Sequence, residues 1–368
     1  MMKELTEKFG FGCMRLPMKD NEVDLDEFCR MTDWFLDHGF HYFDTAHGYL
    51  EGKSEKALKA GLTSRHPRES YLLTDKLTET YFDSEEDIRP FFESQLEACG
   101  VDYFDSYLMH AQNATNFEKF KACKAYETAF ELKKEGKIRH VGFSFHDSPE
   151  VLDQILTTYP EVEIVQIQLN YVDLENPKVM SQGCYEVCKK HNKPVIVMEP
   201  VKGGALASLS KEFTDVLAKA TEDSPAALAL RFAADHDQVV MMLSGMSDMP
   251  SMEENTRIMK NPAPLSEAEK EAVKKVSDMY NSLDLVGCTT CKYCVEGCPQ
   301  NIQIPSLFRA ENYRRQFQNG NARMVYNGAV KDHGLPSDCI HCLQCENICP
   351  QSLPITSLLE QIAEKFEG

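Results

Sequence analysis

Two copies of one cysteine pattern lie near the C-terminal end of the chain and constrain its fold more than any other feature. The first copy is Cys288-x-x-Cys291-x-x-Cys294-x-x-x-Cys298-Pro299, and the second is Cys339-x-x-Cys342-x-x-Cys345-x-x-x-Cys349-Pro350. Each cysteine of the first copy recurs 51 residues later, which indicates an internal duplication. Three thiolates at this spacing can ligate three irons of a cubane cluster, and the fourth cysteine reaches the cluster of the other copy.

The duplication therefore predicts two [4Fe-4S] clusters whose ligands cross between the copies. We expect one cluster on Cys288, Cys291, Cys294 and Cys349, and the other on Cys339, Cys342, Cys345 and Cys298. Zinc sites and disulfides are the alternatives. Zinc usually takes paired Cys-x-x-Cys units with four ligands per ion. Disulfides need an oxidising compartment, whereas the charged stretch 1–8 does not resemble a secretion signal.

Composition excludes several classes of function. The chain has 368 residues, which is enough for two or three domains, and no apolar run approaches the ~20 residues that span a bilayer. The formal charge of −19 argues against a nucleic-acid footprint, which would be basic. We expect a cytoplasmic protein with no membrane or nucleic-acid partner, whose acidic surface is compatible with a basic redox partner protein.

Short apolar runs alternate with amphipathic helical stretches from residue 9 to about 258. The predicted strands are 9–14, 41–44, 71–74, 106–110, 140–143, 164–168, 194–198 and 239–243. The predicted helices are 24–38, 54–61, 84–98, 121–135, 149–158, 178–191, 225–234 and 251–259. Eight strands alternating with eight helices over ~250 residues is typical of an α/β TIM (β/α)8 barrel. An open doubly wound sheet is the alternative, but no G-x-G-x-x-G follows a strand.

The domain organisation follows from these patterns. We expect a barrel over 1–265, a connecting helix over 266–283 and a small, mostly helical two-cluster ferredoxin-like domain over 284–368. Ser266 and Glu269 form a possible capping box that opens the connecting helix. The insert between the two cysteine motifs predicts helices near 306–317 and 322–331, split by Asn319-Gly320.

Four polar residues follow three successive barrel strands. Asp44 ends the second strand, Tyr49 follows it, Lys76 ends the third and His110 ends the fourth. In a TIM barrel the catalytic groups sit at these carboxyl ends, so the four side chains should converge on one mouth. A buried ammonium lowers the pKa of a neighbouring phenol. We therefore expect Asp44 to hold Lys76 charged, Tyr49 to protonate a carbonyl oxygen and His110 to orient that oxygen.

These residues, in this order and context, resemble the catalytic tetrad of the aldo-keto reductases. Three further stretches are similar to cofactor-contacting segments of that family: Gly142-Phe143-Ser144, Gln166-Ile167-Gln168-Leu169-Asn170 and Glu253-Glu254-Asn255. The opening Gly10-Phe11-Gly12-Cys13-Met14-Arg15-Leu16-Pro17 resembles its first barrel strand. The resemblance covers residues 9–282, and with the cysteine motifs the chain resembles the subgroup fused to a ferredoxin-like domain.

The resemblance implies an NAD(P)H-dependent enzyme in which Asp44, Tyr49, Lys76 and His110 are catalytic. The expected cofactor contacts are Gly12, Met14, Asp44, Ser144, Gln166, Met198, Gly203, Glu254 and Asn255. Ser144 and Gln166 would bind the carboxamide, whereas Glu254 and Asn255 would bind the adenine. No Lys or Arg occurs from Phe232 to Thr256, where the family places the cations that meet a 2′-phosphate, so NADH is expected over NADPH.

The sequence is compatible with two candidate functions. The first is an oxidoreductase that reduces a small carbonyl, or oxidises the alcohol, with iron–sulfur electron transfer. The second is an electron-transfer or scaffold protein whose barrel binds a cofactor but no longer reduces carbonyls. A cubane takes one electron whereas a hydride carries two, so a flavin is a possible further cofactor.

Overall fold

The computed structural model of the chain describes residues 7–177, 179–317 and 321–368. The strands are β1 (Phe9–Gly12), β2 (Met18–Lys19), β3 (Glu22–Val23), β4 (Tyr42–Asp44), β5 (Leu72–Leu77), β6 (Phe104–Gln112), β7 (Ile138–Phe145), β8 (Ile164–Gln168), β9 (Val195–Met198) and β10 (Val239–Ser244). The helices are α1 (Leu25–Asp37), α2 (Lys53–Leu58), α3 (Glu85–Cys99), α4 (Ala114–Ala122), α5 (Ala125–Lys134), α6 (Pro149–Thr158), α7 (Ser181–Lys190), α8 (Lys211–Leu217), α9 (Pro225–Ala234), α10 (Met249–Met259), α11 (Glu267–Asn281), α12 (Tyr293–Glu296), α13 (Ile304–Phe317), α14 (Asn321–Val330), α15 (Gln344–Asn347) and α16 (Ile355–Phe366).

Eight parallel strands close into a barrel in the order β1-β10-β9-β8-β7-β6-β5-β4. The sheet has no free edge, so the predicted TIM barrel is confirmed and the open doubly wound sheet is wrong. Each barrel strand coincides with one of the eight predicted apolar runs, because a strand covered on both faces must be apolar along its length. A short antiparallel hairpin, β2–β3, lies outside the barrel.

Helix boundaries follow local capping chemistry. At α11 the Ser266 backbone N–H donates to Glu269 Oε2 at 2.8 Å, and the Glu269 N–H donates to Ser266 Oγ at 3.3 Å. This is the predicted capping box, which satisfies two N–H groups that a helix start leaves unpaired. The predicted turn at Asn319-Gly320 and residue 178 lie outside the described residues.

Five helices were missed by the sequence analysis: α4, α8, α16 and the two four-residue helices α12 and α15. The sequence does contain a signal for α4, which is the N-cap residue Asn113. Its Oδ1 accepts from the N–H groups of Thr115 and Asn116, both at 2.9 Å. The N-cap of α16 is Pro354, which makes no side-chain capping bond. That helix is instead stabilised by burial of one apolar face, formed by Ile355, Leu359, Ile362 and Phe366.

The chain divides into two compact units. The first runs to Pro200 and resumes over Ala229–Leu265, and the second comprises Val201–Leu228 and Ser266–Gly368. The core of the second unit is apolar, with Leu307, Phe308 and Ile302 at most 1% exposed. The stretch Val201–Leu228 thus belongs with the cysteine motifs by its contacts. In the described part of the chain, no helix combines the length and the apolar character needed to cross a membrane.

Strands β7 and β8 approach each other closely at Gly142. Gly142 pairs with Ile164, and a Cβ atom on Gly142 would lie 2.5 Å from the Ile164 carbonyl oxygen. Real Cβ atoms do not approach oxygen so closely, so an added methyl group would push the two backbones apart. Glycine at this position therefore permits closure of the barrel between β7 and β8.

We predict that Gly142→Ala lowers the free energy of unfolding of the barrel by about 1–3 kcal/mol, the usual cost of overpacking a core. Urea unfolding followed by fluorescence of the single tryptophan, Trp34 in α1, reports on the barrel. Gly245→Ala is the control, because its Cβ would meet only the flexible side chain of Arg15, at 3.3 Å. Equal stability of the two variants would contradict this account.

Candidate active site and cysteine cavities

A fully buried ammonium group, that of Lys76 on β5, lies at the centre of the barrel mouth. Its Nζ donates to Asp44 Oδ1 at 2.6 Å and to the Thr45 carbonyl oxygen at 2.7 Å. It also lies 3.3 Å from the Tyr49 hydroxyl. The ammonium is therefore paired with a carboxylate and solvated by two further oxygens, which is the arrangement a buried charge requires.

Strand pairing brings these residues together. Strands β4 and β5 are parallel neighbours, and Asp44 pairs with Thr74, two residues before Lys76. Tyr49 follows β4 in a turn closed by its N–H donating to the Ala46 carbonyl at 2.9 Å. The carboxyl ends of parallel strands meet at one face of the barrel, so residues far apart in sequence converge there.

His110 on β6 joins this group through its ring. The imidazole meets the Tyr49 ring edge to face, with centroids 5.9 Å apart, and its Nδ1 lies 2.7 Å from Thr78 Oγ1. Burial holds the pKa of His110 well below its ordinary range, and the charge of Lys76 acts in the same direction. The imidazole is consequently neutral around pH 7.

Asp44 links the ammonium to the next part of the site. Burial raises the pKa of its carboxyl above the ordinary range, and the neighbouring Lys76 ammonium opposes that shift. The Gln166 amide donates to the second oxygen of Asp44 at 3.2 Å. Gln166 pairs in register with Ser144 on β7, so two of the predicted carboxamide contacts are neighbours.

A second buried network behind the strand supports Lys76, and the sequence analysis missed it. The Lys76 N–H donates to Asp75 Oδ1 at 2.8 Å, and its carbonyl accepts from Gln95 Nε2 at 3.0 Å. Gln95 in turn contacts Glu55 Oε1 at 3.4 Å and accepts from the Tyr107 hydroxyl at 2.5 Å. Burial and the charge of Glu55 raise the pKa of Asp75 well above its usual range.

Most of the other predicted cofactor contacts lie at or just beyond strand ends of the first unit. Gly12 ends β1 beside Asp44, Met14 follows it, and Met198 ends β9. On α10, the Asn255 amide donates to Ser244 Oγ at 3.4 Å, which ties that helix to the end of β10, and Glu254 is half-buried beside it.

Gly203 is placed differently, because it belongs to the second unit. Its φ is +61°, and a Cβ atom there would lie 2.5 Å from the Thr289 carbonyl oxygen. The close approach of the two backbones accounts for a glycine at this position. The structure thus brings Gly203 against the first cysteine motif.

An arginine to which the sequence analysis gave no role lies next to the loop after β10. The side chain of Arg15 packs against Gly245, and its Nη2 donates to Glu199 Oε1 at 3.0 Å. The cation is therefore engaged by a carboxylate that is itself mostly buried. No motif could have revealed this pair, which joins residues 184 positions apart.

The cysteines of the second unit surround two separate cavities. One cavity is lined by Cys288, Cys291, Cys294 and Cys349. The other is lined by Cys298, Cys339, Cys342 and Cys345. Each set joins three cysteines of one motif to the last cysteine of the other. Four convergent thiols around one cavity suit the ligation of a [4Fe-4S] cluster.

Two proteins of known name are similar to the barrel. The 9,11-endoperoxide prostaglandin H2 reductase of Trypanosoma cruzi is 27% identical over 210 residues, which are 56% of this chain and 69% of that protein. The NADH-specific methylglyoxal reductase of Escherichia coli is 27% identical over 185 residues, which are 46% of this chain and 54% of that enzyme.

Solved structures share the fold. An aldo-keto reductase from Bacillus halodurans superposes with a TM-score of 0.60 at 23% identity, covering 73% of this chain and 91% of the other. An aldo-keto reductase from Klebsiella pneumoniae in complex with NADPH gives a TM-score of 0.60 at 19% identity, covering 73% and 90%. At these identities the likeness concerns the fold alone.

Family profiles cover both parts of the chain. The profile of the 4Fe-4S dicluster domain matches residues 287–353, which include both cysteine motifs. This part of the chain is therefore an iron–sulfur domain. The profile of the aldo/keto reductase family matches residues 8–278, which include every strand of the barrel and the Lys76 site. The chain belongs to the aldo/keto reductase family and is an NAD(P)H-dependent oxidoreductase with a C-terminal iron–sulfur domain.

Proposed function

We propose that the barrel reduces a small carbonyl compound, or oxidises the corresponding alcohol, and that the second unit carries two [4Fe-4S] clusters that exchange single electrons. The observation that carries the first part is the contact of one buried ammonium with both Asp44 and the Tyr49 hydroxyl. Those contacts leave a phenol beside a fixed positive charge at the mouth of the barrel.

The bound nicotinamide supplies the hydride for this chemistry. Ser144 and Gln166 are the residues proposed to hold its carboxamide, since they are buried neighbours with polar side chains. Asn255 and Glu254 are proposed to bind the adenine end. Gly12, Met14 and Met198 would form the walls of the site.

Tyr49 is the proposed general acid. As negative charge develops on the carbonyl oxygen, the phenol donates its proton to that oxygen, and the adjacent Lys76 ammonium stabilises the phenolate that remains. Asp44 acts through Lys76 by holding it charged and oriented. In alcohol oxidation the same phenolate accepts the proton.

His110 is proposed to orient the substrate. Because its imidazole is neutral, one ring nitrogen carries a proton and the other does not. If Thr78 donates to Nδ1, the proton lies on Nε2, which can donate to the substrate oxygen. A neutral donor orients the oxygen without competing with Tyr49 as the acid.

The cysteines are the proposed cluster ligands, four around each cavity and crossed between the motifs. The two chemistries differ in electron count, since a cubane accepts one electron whereas carbonyl reduction requires two. We therefore assign the two-electron reaction to the barrel and single-electron exchange to the second unit. Methylglyoxal, the substrate in the name of the Escherichia coli relative, is a suitable first small carbonyl for assays of the purified holoprotein.

We predict that Tyr49→Phe lowers kcat for carbonyl reduction by about 10²–10⁴-fold, as expected for loss of a general acid. Affinity for the nicotinamide should change little, because the phenol acts only as charge develops on the substrate. Steady-state kinetics and cofactor titration measure the two quantities. Tyr103→Phe is the matched control. Tyr103 lies just before β6, at the amino end of that strand, whereas the proposed site lies at the carboxyl ends of the barrel strands. Unchanged turnover of Tyr49→Phe would remove this residue from the mechanism.

The buried ion pair makes a prediction about stability. Lys76→Met should lower the free energy of unfolding by about 3–5 kcal/mol, because Asp44 would remain buried without its cation. Adding Asp44→Asn should recover part of this loss, since the uncompensated carboxylate is removed. Urea unfolding followed by Trp34 fluorescence compares the variants. A double variant less stable than Lys76→Met would mean that Asp44 is not the partner that matters.

We predict that NADH binds more tightly than NADPH, because Arg15, a cation that contacts the loop after β10, is already engaged by Glu199. Glu199→Gln should release Arg15 and shift the ratio of the two affinities at least tenfold toward NADPH, given ~1.5–3 kcal/mol per charged hydrogen bond. Fluorescence titration with both cofactors measures this ratio. Glu212→Gln, an acidic residue at the start of α8, is the control. Tighter binding of NADPH by the wild-type protein would contradict the prediction.

A further inference from the structure

The two cysteine motifs are covered differently, although one is a duplicate of the other. Thr289 in the first motif is 3% exposed, whereas Ile340, which stands 51 residues later at the equivalent position, is 58% exposed. The backbone at Gly203 lies directly against Thr289 and covers the first loop. The second loop has no such cover within the described part of its unit.

The covered loop is the more polar of the two, although burial alone would favour apolar residues there. The covered loop carries polar residues, Thr289 and Lys292, at the positions where the uncovered loop carries Ile340 and Leu343. Leu343 is 46% exposed, and Ile348, five residues later, is 47% exposed. Apolar side chains grouped on a surface mark a site of interaction more often than chance exposure does.

These apolar residues flank an exposed cysteine. Cys342 is exposed, whereas its counterpart Cys291 is partly buried. Cys342 lines the second cavity, so the apolar surface surrounds the most accessible ligand of the proposed cluster. We call Ile340, Cys342, Leu343 and Ile348 the second-motif face.

The surrounding chain is acidic. The acidic residues from 332 to the end of the chain are Asp332, Asp338, Glu346, Glu360, Glu364 and Glu367. The single Lys or Arg in that stretch is Lys365, whose Nζ lies 3.1 Å from Glu311. Two copies of this chain would therefore bring like charges together at the second-motif face, which disfavours self-association.

We propose that the second-motif face docks a one-electron carrier protein whose contact surface is apolar and rimmed by basic residues. This inference rests on the proposed cluster at Cys298, Cys339, Cys342 and Cys345. One electron passes from the reduced cluster to the oxidised centre of the carrier, and no atom or proton is transferred. Apolar contact around Cys342 brings the carrier close to the cluster, while the acidic rim orients it.

The test uses the full-length holoprotein, reduced with dithionite without oxygen, and oxidised cytochrome c as a basic one-electron probe. The variant Ile340→Thr/Leu343→Lys installs the residues of the first motif. Both loops already share a left-handed backbone at the second substitution, with φ of +62° at Leu343 and +69° at Lys292. Stopped-flow absorbance of the haem gives the rate of electron transfer, and calorimetry with the oxidised proteins gives Kd.

We expect the variant to transfer electrons to cytochrome c at least tenfold more slowly and to bind it at least tenfold more weakly. Oxidation by ferricyanide, which needs no docking surface, should be unchanged. Met18→Thr, at an apolar residue 46% exposed on the β2–β3 hairpin, is the control and should behave as the wild type. Glu360→Lys reverses a charge of the acidic rim, beside His341, and should also slow the reaction with cytochrome c.

Equal rates and equal Kd values in the wild type and both variants would overturn the docking proposal. The proposal would also be overturned if sedimentation showed a dimeric wild type and a monomeric double variant. A second copy of the chain would then be the occupant of the second-motif face. The proposed clusters are tested separately, by finding about eight irons and eight sulfides per chain. Fewer irons and sulfides than this would contradict the proposed function. A full complement, together with equal binding of cytochrome c by the wild type and the variants, would contradict this inference alone.

Discussion

The barrel site depends on one buried positive charge. Removing an ammonium from water costs several kcal/mol, so Lys76 can be fully buried only where oxygens replace its lost hydration. Asp44 and the Thr45 carbonyl supply them, and the pairing of β4 with β5 fixes their positions. The remaining neighbour is the Tyr49 hydroxyl. A charge that stabilises the fold in this way also stands beside the group proposed to transfer a proton.

The second unit rests on a different constraint, which is the convergence of eight thiols on two cavities. Each cavity draws three cysteines from one motif and one from the other, so the two copies cannot be separated without opening both sites. The duplication also allows the copies to diverge at their surfaces. Gly203 covers the first motif, whereas the second presents apolar side chains around Cys342. Identical ligand spacing is thus combined with different surroundings.

The sequence could predict what depends on local pattern and spacing. The eight barrel strands follow from apolar runs, and the crossed cysteine sets follow from motif spacing, which the two cavities match. Contacts between distant residues could not be predicted, because no periodicity records them. The Arg15–Glu199 pair joins the turn after β1 to the residue after β9, and the carbonyl oxygen of Lys76 on β5 accepts from Gln95 on α3.

The proposed reaction is tested most directly by measuring kcat of the wild-type enzyme against pH in both directions. Carbonyl reduction needs the Tyr49 phenol protonated, so its rate should be high at low pH and fall as the phenol ionises. Alcohol oxidation needs the phenolate, so its rate should rise through the same midpoint. His110 adds no step between pH 5 and 8, roughly the range in which an ordinary imidazole titrates, because burial holds its pKa well below that range. The account predicts mirror-image profiles with one shared midpoint, and two profiles that change in the same direction would contradict it.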